Sequence, residues 1–115
     1  MRIDISASRA AYERSRLMVP AWVPRSIRVG RTPTDIAWIA SASEAAEVYR
    51  RTGAPTLVER RDGSVVAGRV DGLFSLNDAD GGCAAVLRIE TGSGPIVLDA
   101  IEVVRLRPDE EDDCL

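Results

Sequence analysis

The sequence of 115 residues predicts a mainly β protein with α, of α+β class: a small, strongly bent antiparallel β-barrel preceded by an N-terminal helix, an extended arm and a second short helix. Three observations carry this. Between residues 56 and 106 four β-type segments follow one another with turn chemistry between them. The longest of these contains Gly68 and Gly72, and glycine inside a strand marks a bulge, a sharp bend or close backbone approach. Aromatic residues make up 4% against an apolar share of 45%, so the core is built mostly from Val, Ile, Leu and Ala.

Residues 1–5 read as a short strand or an unstructured lead. Ser6 or Ser8 can cap a helix running to about Met18, with Ala10, Ala11, Leu17 and Met18 as a weak apolar stripe and Arg9, Glu13 and Arg16 opposite. Such a short helix needs something to pack on. Pro20, Pro24 and Pro33 then punctuate an arm or edge strand, since proline disfavours helix at and just before its own position. This is the candidate interaction arm: Trp22 stands among Arg25, Arg28 and Arg31. Two readings are open for it. The arginines neutralise phosphates and the indole stacks on a base, or Trp22 packs onto the barrel and the arginines pair with carboxylates of the second half. Residues 35–40 form an apolar run read as a buried strand, with Trp38 in the core.

A helix follows. Ser41 with Glu44 three residues on makes a capping box, and Ala45, Val48 and Tyr49 give a narrow apolar stripe. Arg50 and Arg51 complement the dipole, Glu47 pairs with Arg51 at i,i+4, and Gly53 ends the helix. Residues 56–61 are the first barrel strand, closed by Asp62-Gly63, the pair favoured by a two-residue hairpin turn. Residues 64–75 return antiparallel and curl across both faces of the barrel. After the polar loop 77–82, residues 83–91 form a strand whose Ala85, Leu87 and Ile89 point inward and alternate with Val86, Arg88 and Glu90. A Gly/Ser/Pro turn at 91–95, the short strand 96–98, a corner at Asp99-Ala100 and a last strand 101–106 complete the barrel, and Pro108 stops it.

This hairpin resembles that of Sm-like proteins, and more broadly of small SH3-like barrels. There the turn carries one glycine, a second follows five residues later and a third four beyond, then an aromatic; here these are Gly63, Gly68 and Gly72, with Leu73-Phe74 after them. The resemblance covers roughly the last two thirds of the chain and implies a helix before the first strand. It also implies RNA binding, on which the residues depart from the pattern. Where the family holds a uridine with an aspartate and an asparagine, this chain has Phe74-Ser75-Leu76-Asn77, of which Asn77 alone matches. Asp99-Ala100 replaces the arginine-glycine pair near the last strand.

Composition narrows the function. All 15 basic residues are arginine, with no lysine or histidine, a bias that suggests a GC-rich genome, that of an actinobacterium or one of its phages. It removes the commonest general bases, Schiff-base formers and many metal ligands, and leaves for acid-base work only carboxylates such as Asp71, Asp78, Asp80 and Glu90, whose pairing nothing in the sequence specifies. No GxSxG elbow, P-loop or GxGxxG is present, and 77–82 lacks the later ligands of a calcium loop. Cys83 and Cys114 have no metal spacing and read as free thiols. No enzyme activity, cofactor or metal is expected. Residues 1–61 hold 11 arginines against six carboxylates, a charge of +5, whereas residues 62–115 hold four against twelve, a charge of −8, so the halves attract each other or, in an oligomer, each other's neighbours. The five carboxylates at 109–113 read as a solvated, disordered tail or, in a second reading, as a clasp over an arginine surface of this or a neighbouring subunit.

The organisation expected is an N-terminal helix and arm over 1–34, a helix plus barrel over 35–108, and the acidic tail over 109–115. The function expected is a non-enzymatic assembly or adaptor protein, of the kind found in phage head-to-tail or tail structures, with protein partners or copies of itself. The alternative is an Sm-like nucleic-acid-binding regulator that uses the arm. Without an apolar leader or a membrane-length apolar run, the location expected is cytoplasmic, or the virion for a phage product.

Overall fold

The structure, a computed structural model, describes residues 2–5, 19–78 and 80–109. The expected helix from Ser6 or Ser8 to Met18, Cys114 and all of the acidic tail beyond Asp109 lie outside them. The elements are β1 (Arg2–Asp4), β2 (Ser26–Arg28), α1 (Pro33–Thr52), β3 (Thr56–Arg60), β4 (Val65–Asn77), β5 (Cys83–Thr91), β6 (Gly94–Asp99), a 3-10 turn (Ala100–Glu102) and β7 (Val103–Pro108).

Helix α1 corrects several expectations. It absorbs residues 35–40, which are its first turns and not a buried strand, and it begins at Pro33, so a domain boundary at 34/35 falls inside its first turn. The cap is Thr32, whose Oγ1 accepts from the Asp35 backbone N–H at 3.0 Å, and Ser41 lies in mid-helix. Proline at the first helical position gives up an N–H that has no partner there anyway, and its fixed φ suits the helix. Pro33 therefore opens the helix. The buried stripe is Ile39, Ala42 and Ala46, with Tyr49 packed beside it, and Val48 is 57% exposed. The last turn is as expected: Gly53 takes φ 67° and donates to the Tyr49 carbonyl, and Arg50 and Arg51 both bind Glu47.

The β3–β4 hairpin turns through three residues. The Gly63 N–H donates to the Arg60 carbonyl and the Arg60 N–H to that of Ser64, with Gly63 at φ 88°. The glycine thus ends a loop 61–63 in place of the expected two-residue turn, because the Asp62 carboxylate accepts from both the backbone and hydroxyl of Ser64 and holds the turn one residue wider.

Strand β4 produces the bend. Its residues 65–68 pair with β3, residues 69–77 pair with β5, and Asp71 is left over at a bulge between Val70 and Gly72. A Cβ on Gly68 would lie 2.4 Å from the Glu90 carbonyl oxygen, and one on Gly72 would lie 2.8 Å from Cζ2 of Trp22. Both glycines are there for close approach.

The five strands form an antiparallel sheet in the order β6-β5-β4-β3-β7. Among the described residues no closed barrel is formed. The three-residue 3-10 turn joins the two edge strands, so the sheet curls until its edges meet at that corner. Ala100 and Ile101 then drop into the core beneath α1, and β7 leaves to pair with β3 instead of β6.

Two clusters lie on opposite faces. Under α1 are Val58, Val70, Ala85, Leu87, Ile89, Leu98 and Val103. On the other face Leu76, Ala84 and Val86 are covered by Ile5, Val23, Ile27 and Val29 of the N-terminal segment. Val86 is therefore buried as deeply as the inward residues beside it, which corrects the one-sided reading of β5. The unbroken apolar run Ala84-Ala85-Val86-Leu87 is what two-sided burial requires.

Candidate functional site

The arm is a layer of the fold. Strand β1 pairs with β2, the Ile5 N–H donates to the Arg25 carbonyl at 2.7 Å, and Gly30 and Cys83 exchange backbone hydrogen bonds at 2.8 and 3.0 Å. Burying side chains such as Ile5 and Ile27 contributes about 1.5–3 kcal/mol each, so apolar contact holds the arm down and its ion pairs orient it.

The four arm residues make separate contacts. The Trp22 ring lies half-buried over Gly72 of β4. Arg28 donates its backbone N–H to Asp99 Oδ1 at 3.0 Å, and its guanidinium is 3.7 Å from Glu102. Arg31 reaches Asp78 at 2.5 Å, and Arg2 reaches Asp99 at 3.2 Å. Arg25 is exposed. The basic first half thus meets the acidic second half within the chain, through Arg2, Arg28 and Arg31.

The ends of the sheet offer more. Among the described residues no strand pairs with the outer edge of β6 or of β7. Both edges are short of regular backbone: Pro95 removes a donor from β6, and in β7 Val104 is the extra residue of a bulge opposite Glu59 and Arg60, with Pro108 at the end. Such features restrain indiscriminate strand pairing. Beyond the arm, the face over β3, the start of β4 and β7 carries Glu59, Val65, Ala67, Arg105 and Arg107. Glu59 accepts from Arg107 at 2.7 Å and Arg105 at 2.9 Å, and these bonds hold its carboxyl below the usual range.

Sequence reasoning missed a groove of about 340 Å³ between α1 and β7, lined by Trp38, Ser41, Ala42, Ala45 and Val103 to Leu106. Trp38 is half-buried at its rim and not in the core as expected; its Nε1 donates to the Val103 carbonyl at 2.7 Å, and the Arg61 guanidinium lies 4.2 Å from its ring centroid. The helical spacing of Trp38, Ser41, Ala42 and Ala45 was the available signal, hidden by assigning residues 35–40 to a strand. No group of three metal-binding side chains occurs among the described residues. The Cys83 thiol is free, and burial raises its pKa. No described helix is long and apolar enough to cross a membrane.

No protein-family model matches the chain, and no curated protein matches it. Among solved structures it is similar to XC5848 from Xanthomonas campestris, whose crystal structure is described as a novel variant of the Sm-like motif. The TM-score is 0.52 at 21% identity, over 78% of this chain and 98% of that one. The resemblance read from Gly63, Gly68 and Gly72 therefore has a counterpart in three dimensions, and the fold is of Sm-like type.

Proposed function

We propose that the chain is a non-enzymatic assembly or adaptor protein, joining copies of itself or a larger complex through the ends of its open sheet, as phage head-to-tail and tail components resembling such barrels do. The observation that supports this is the pair of sheet edges, β6 and β7, that lack a neighbouring strand among the described residues. Two unlike edges on one chain can each take a different neighbour, which suits an adaptor. The nucleic-acid reading draws less support, because Trp22 is packed on Gly72 and Arg28 and Arg31 are engaged by carboxylates.

Size-exclusion chromatography with light scattering, recording absorbance at two wavelengths that separate protein from nucleic acid, tests the proposal. The expected peak is free of nucleic acid and heavier than a monomer, and Val104→Glu at the β7 edge returns it to monomer mass. A monomer at every concentration, unchanged by Val104→Glu, counts against it. So does a peak carrying nucleic acid that is lost when Arg25, Arg28 and Arg31 are replaced together. Deleting the arm is not a clean test, since it strips Ile5, Val23, Ile27 and Val29 from the core.

A further inference from the structure

We infer that the groove between α1 and β7 is a docking site for an extended segment of a partner protein that presents a bulky apolar side chain flanked by carboxylates. This rests on the adaptor reading and names the partner's chemistry at one of its two edges.

The groove is of mixed character: Ala42, Ala45, Val103, Val104 and Leu106 supply apolar side chains, Ser41 and Arg105 supply polar ones, and the Trp38 indole stands at the rim. Small side chains at Ser41, Ala42 and Ala45 leave the space between α1 and β7 unfilled, and Val104 is 49% exposed there. The hydrogen bond from Trp38 Nε1 to the Val103 carbonyl fixes the indole, so the cleft exists before anything binds. The rim is cationic. The Arg61 guanidinium lies over the indole, with no carboxylate within ion-pair distance among the described residues, and Arg105 shares the single carboxylate of Glu59 with Arg107. Alongside runs the outer edge of β7, whose regular part lies between the Val104 bulge and Pro108. Strand addition at a sheet edge takes affinity from main-chain hydrogen bonds and specificity from a pocket for alternate side chains. Here the pocket takes an apolar side chain, and the rim selects acidic neighbours by charge.

The β6 strand of a second copy fits this groove poorly. Its side chains on the matching face, Ile96 and Leu98, already pack in their own core, and its Asp99 is engaged by Arg2 and Arg28. The occupant must bring a free apolar side chain and free carboxylates.

The test follows Trp38 emission in a Trp22→Phe background while the protein is titrated with the capped peptide Gly-Glu-Leu-Glu-Val-Glu-Gly, its lysine counterpart Gly-Lys-Leu-Lys-Val-Lys-Gly, the β6 peptide Gly-Pro-Ile-Val-Leu-Asp, and a uridine oligonucleotide. The acidic peptide is expected to bind saturably, and the lysine peptide at least about tenfold more weakly. Arg61→Glu on the exposed rim and Ala45→Arg, which fills the groove from a half-buried helix position, should each weaken acidic-peptide binding by about tenfold or more while circular dichroism stays unchanged. Equal binding of the lysine peptide, indifference to both substitutions, or stronger binding of the β6 peptide or the oligonucleotide would overturn the assignment. Light scattering on the same samples separates the two claims. If the acidic peptide fails while Val104→Glu still abolishes assembly, the groove is excluded and the adaptor reading stands.

Discussion

Replacing Gly72 by alanine tests whether Trp22 is part of the core or a surface for stacking on a ligand. Gly72 lies in β4 without a positive φ, so its backbone would accept a side chain. The obstacle is space: the new Cβ would lie 2.8 Å from Trp22 Cζ2 and 3.1 Å from both Trp22 Cε2 and Arg88 Cβ. Carbon atoms prefer about 3.5–4.0 Å, so the ring must retreat by about 0.7 Å or more. Overpacking of this kind costs about 1–3 kcal/mol. The alanine returns about 0.4–1 kcal/mol by reducing the freedom of the unfolded chain. The net expectation is a loss of about 1–2 kcal/mol. With Trp22→Ala in place the main clash is gone, and Gly72→Ala should be neutral or stabilising by about 0.5 kcal/mol. The resulting coupling of about 1–2.5 kcal/mol is read from a double-mutant cycle in urea, followed by far-ultraviolet circular dichroism because Trp22 itself is altered. Two results would refute the packing argument: Gly72→Ala stabilising the otherwise unaltered protein, or a cycle additive to within about 0.5 kcal/mol.

Gly68→Ala should destabilise more than Gly72→Ala, by about 2–3 kcal/mol, because its Cβ meets the Glu90 carbonyl at 2.4 Å and backbone cannot rotate away. Gly92→Ala, with nothing within 4 Å, serves as the control and should stay within about 0.5 kcal/mol; urea midpoints of the three variants decide. Thr32→Ala should cost about 1 kcal/mol of stability and fray the first turn of α1, seen as faster amide exchange at Asp35. Hydrogen bonding to Arg50, then to Arg51, lowers the Glu47 pKa from 4.5 to about 2. A depressed carboxyl pKa adds stability above the unfolded value and loses it as pH falls through the folded one, so thermal stability should decline between pH 4.5 and 2, and Glu47→Gln should flatten that slope.

The local features of the β domain are legible in the sequence because near neighbours fix them. Cys83–Thr91 is a strand by its apolar run, and Gly53 ends α1 with a positive φ. The corner expected at Asp99-Ala100 is instead the 3-10 turn Ala100–Glu102, so the last strand starts at Val103, not Ile101, and includes Pro108. The bend at Gly68 and Gly72 is legible too, since glycine inside a strand needs a steric reason. The opposed charge of the two halves foretells that they meet, though not through which pairs. The candidate site was legible only as a set of residue types. Trp22, Arg25, Arg28 and Arg31 are adjacent in sequence, but a chain with several anchor points distributes them among separate contacts.

What only the tertiary structure decided depends on residues far apart in the chain. Pro33 opens a helix or breaks one according to what lies before it, and the cap at Thr32 settles that only once Ile39, Ala42 and Ala46 pack in the core. Strand β5 is buried on both sides because the arm folds across Val86, a contact spanning some 60 residues from Ile27 that no short window contains. Whether β6 meets β7 depends on Ala100 and Ile101 entering the core beneath α1. The groove beside Trp38 exists only when a helix and a strand 65 residues apart are brought together by the Trp38–Val103 hydrogen bond. Local stereochemistry determined the pieces and their turns, while long-range burial selected which faces were covered and which edges were left for a partner.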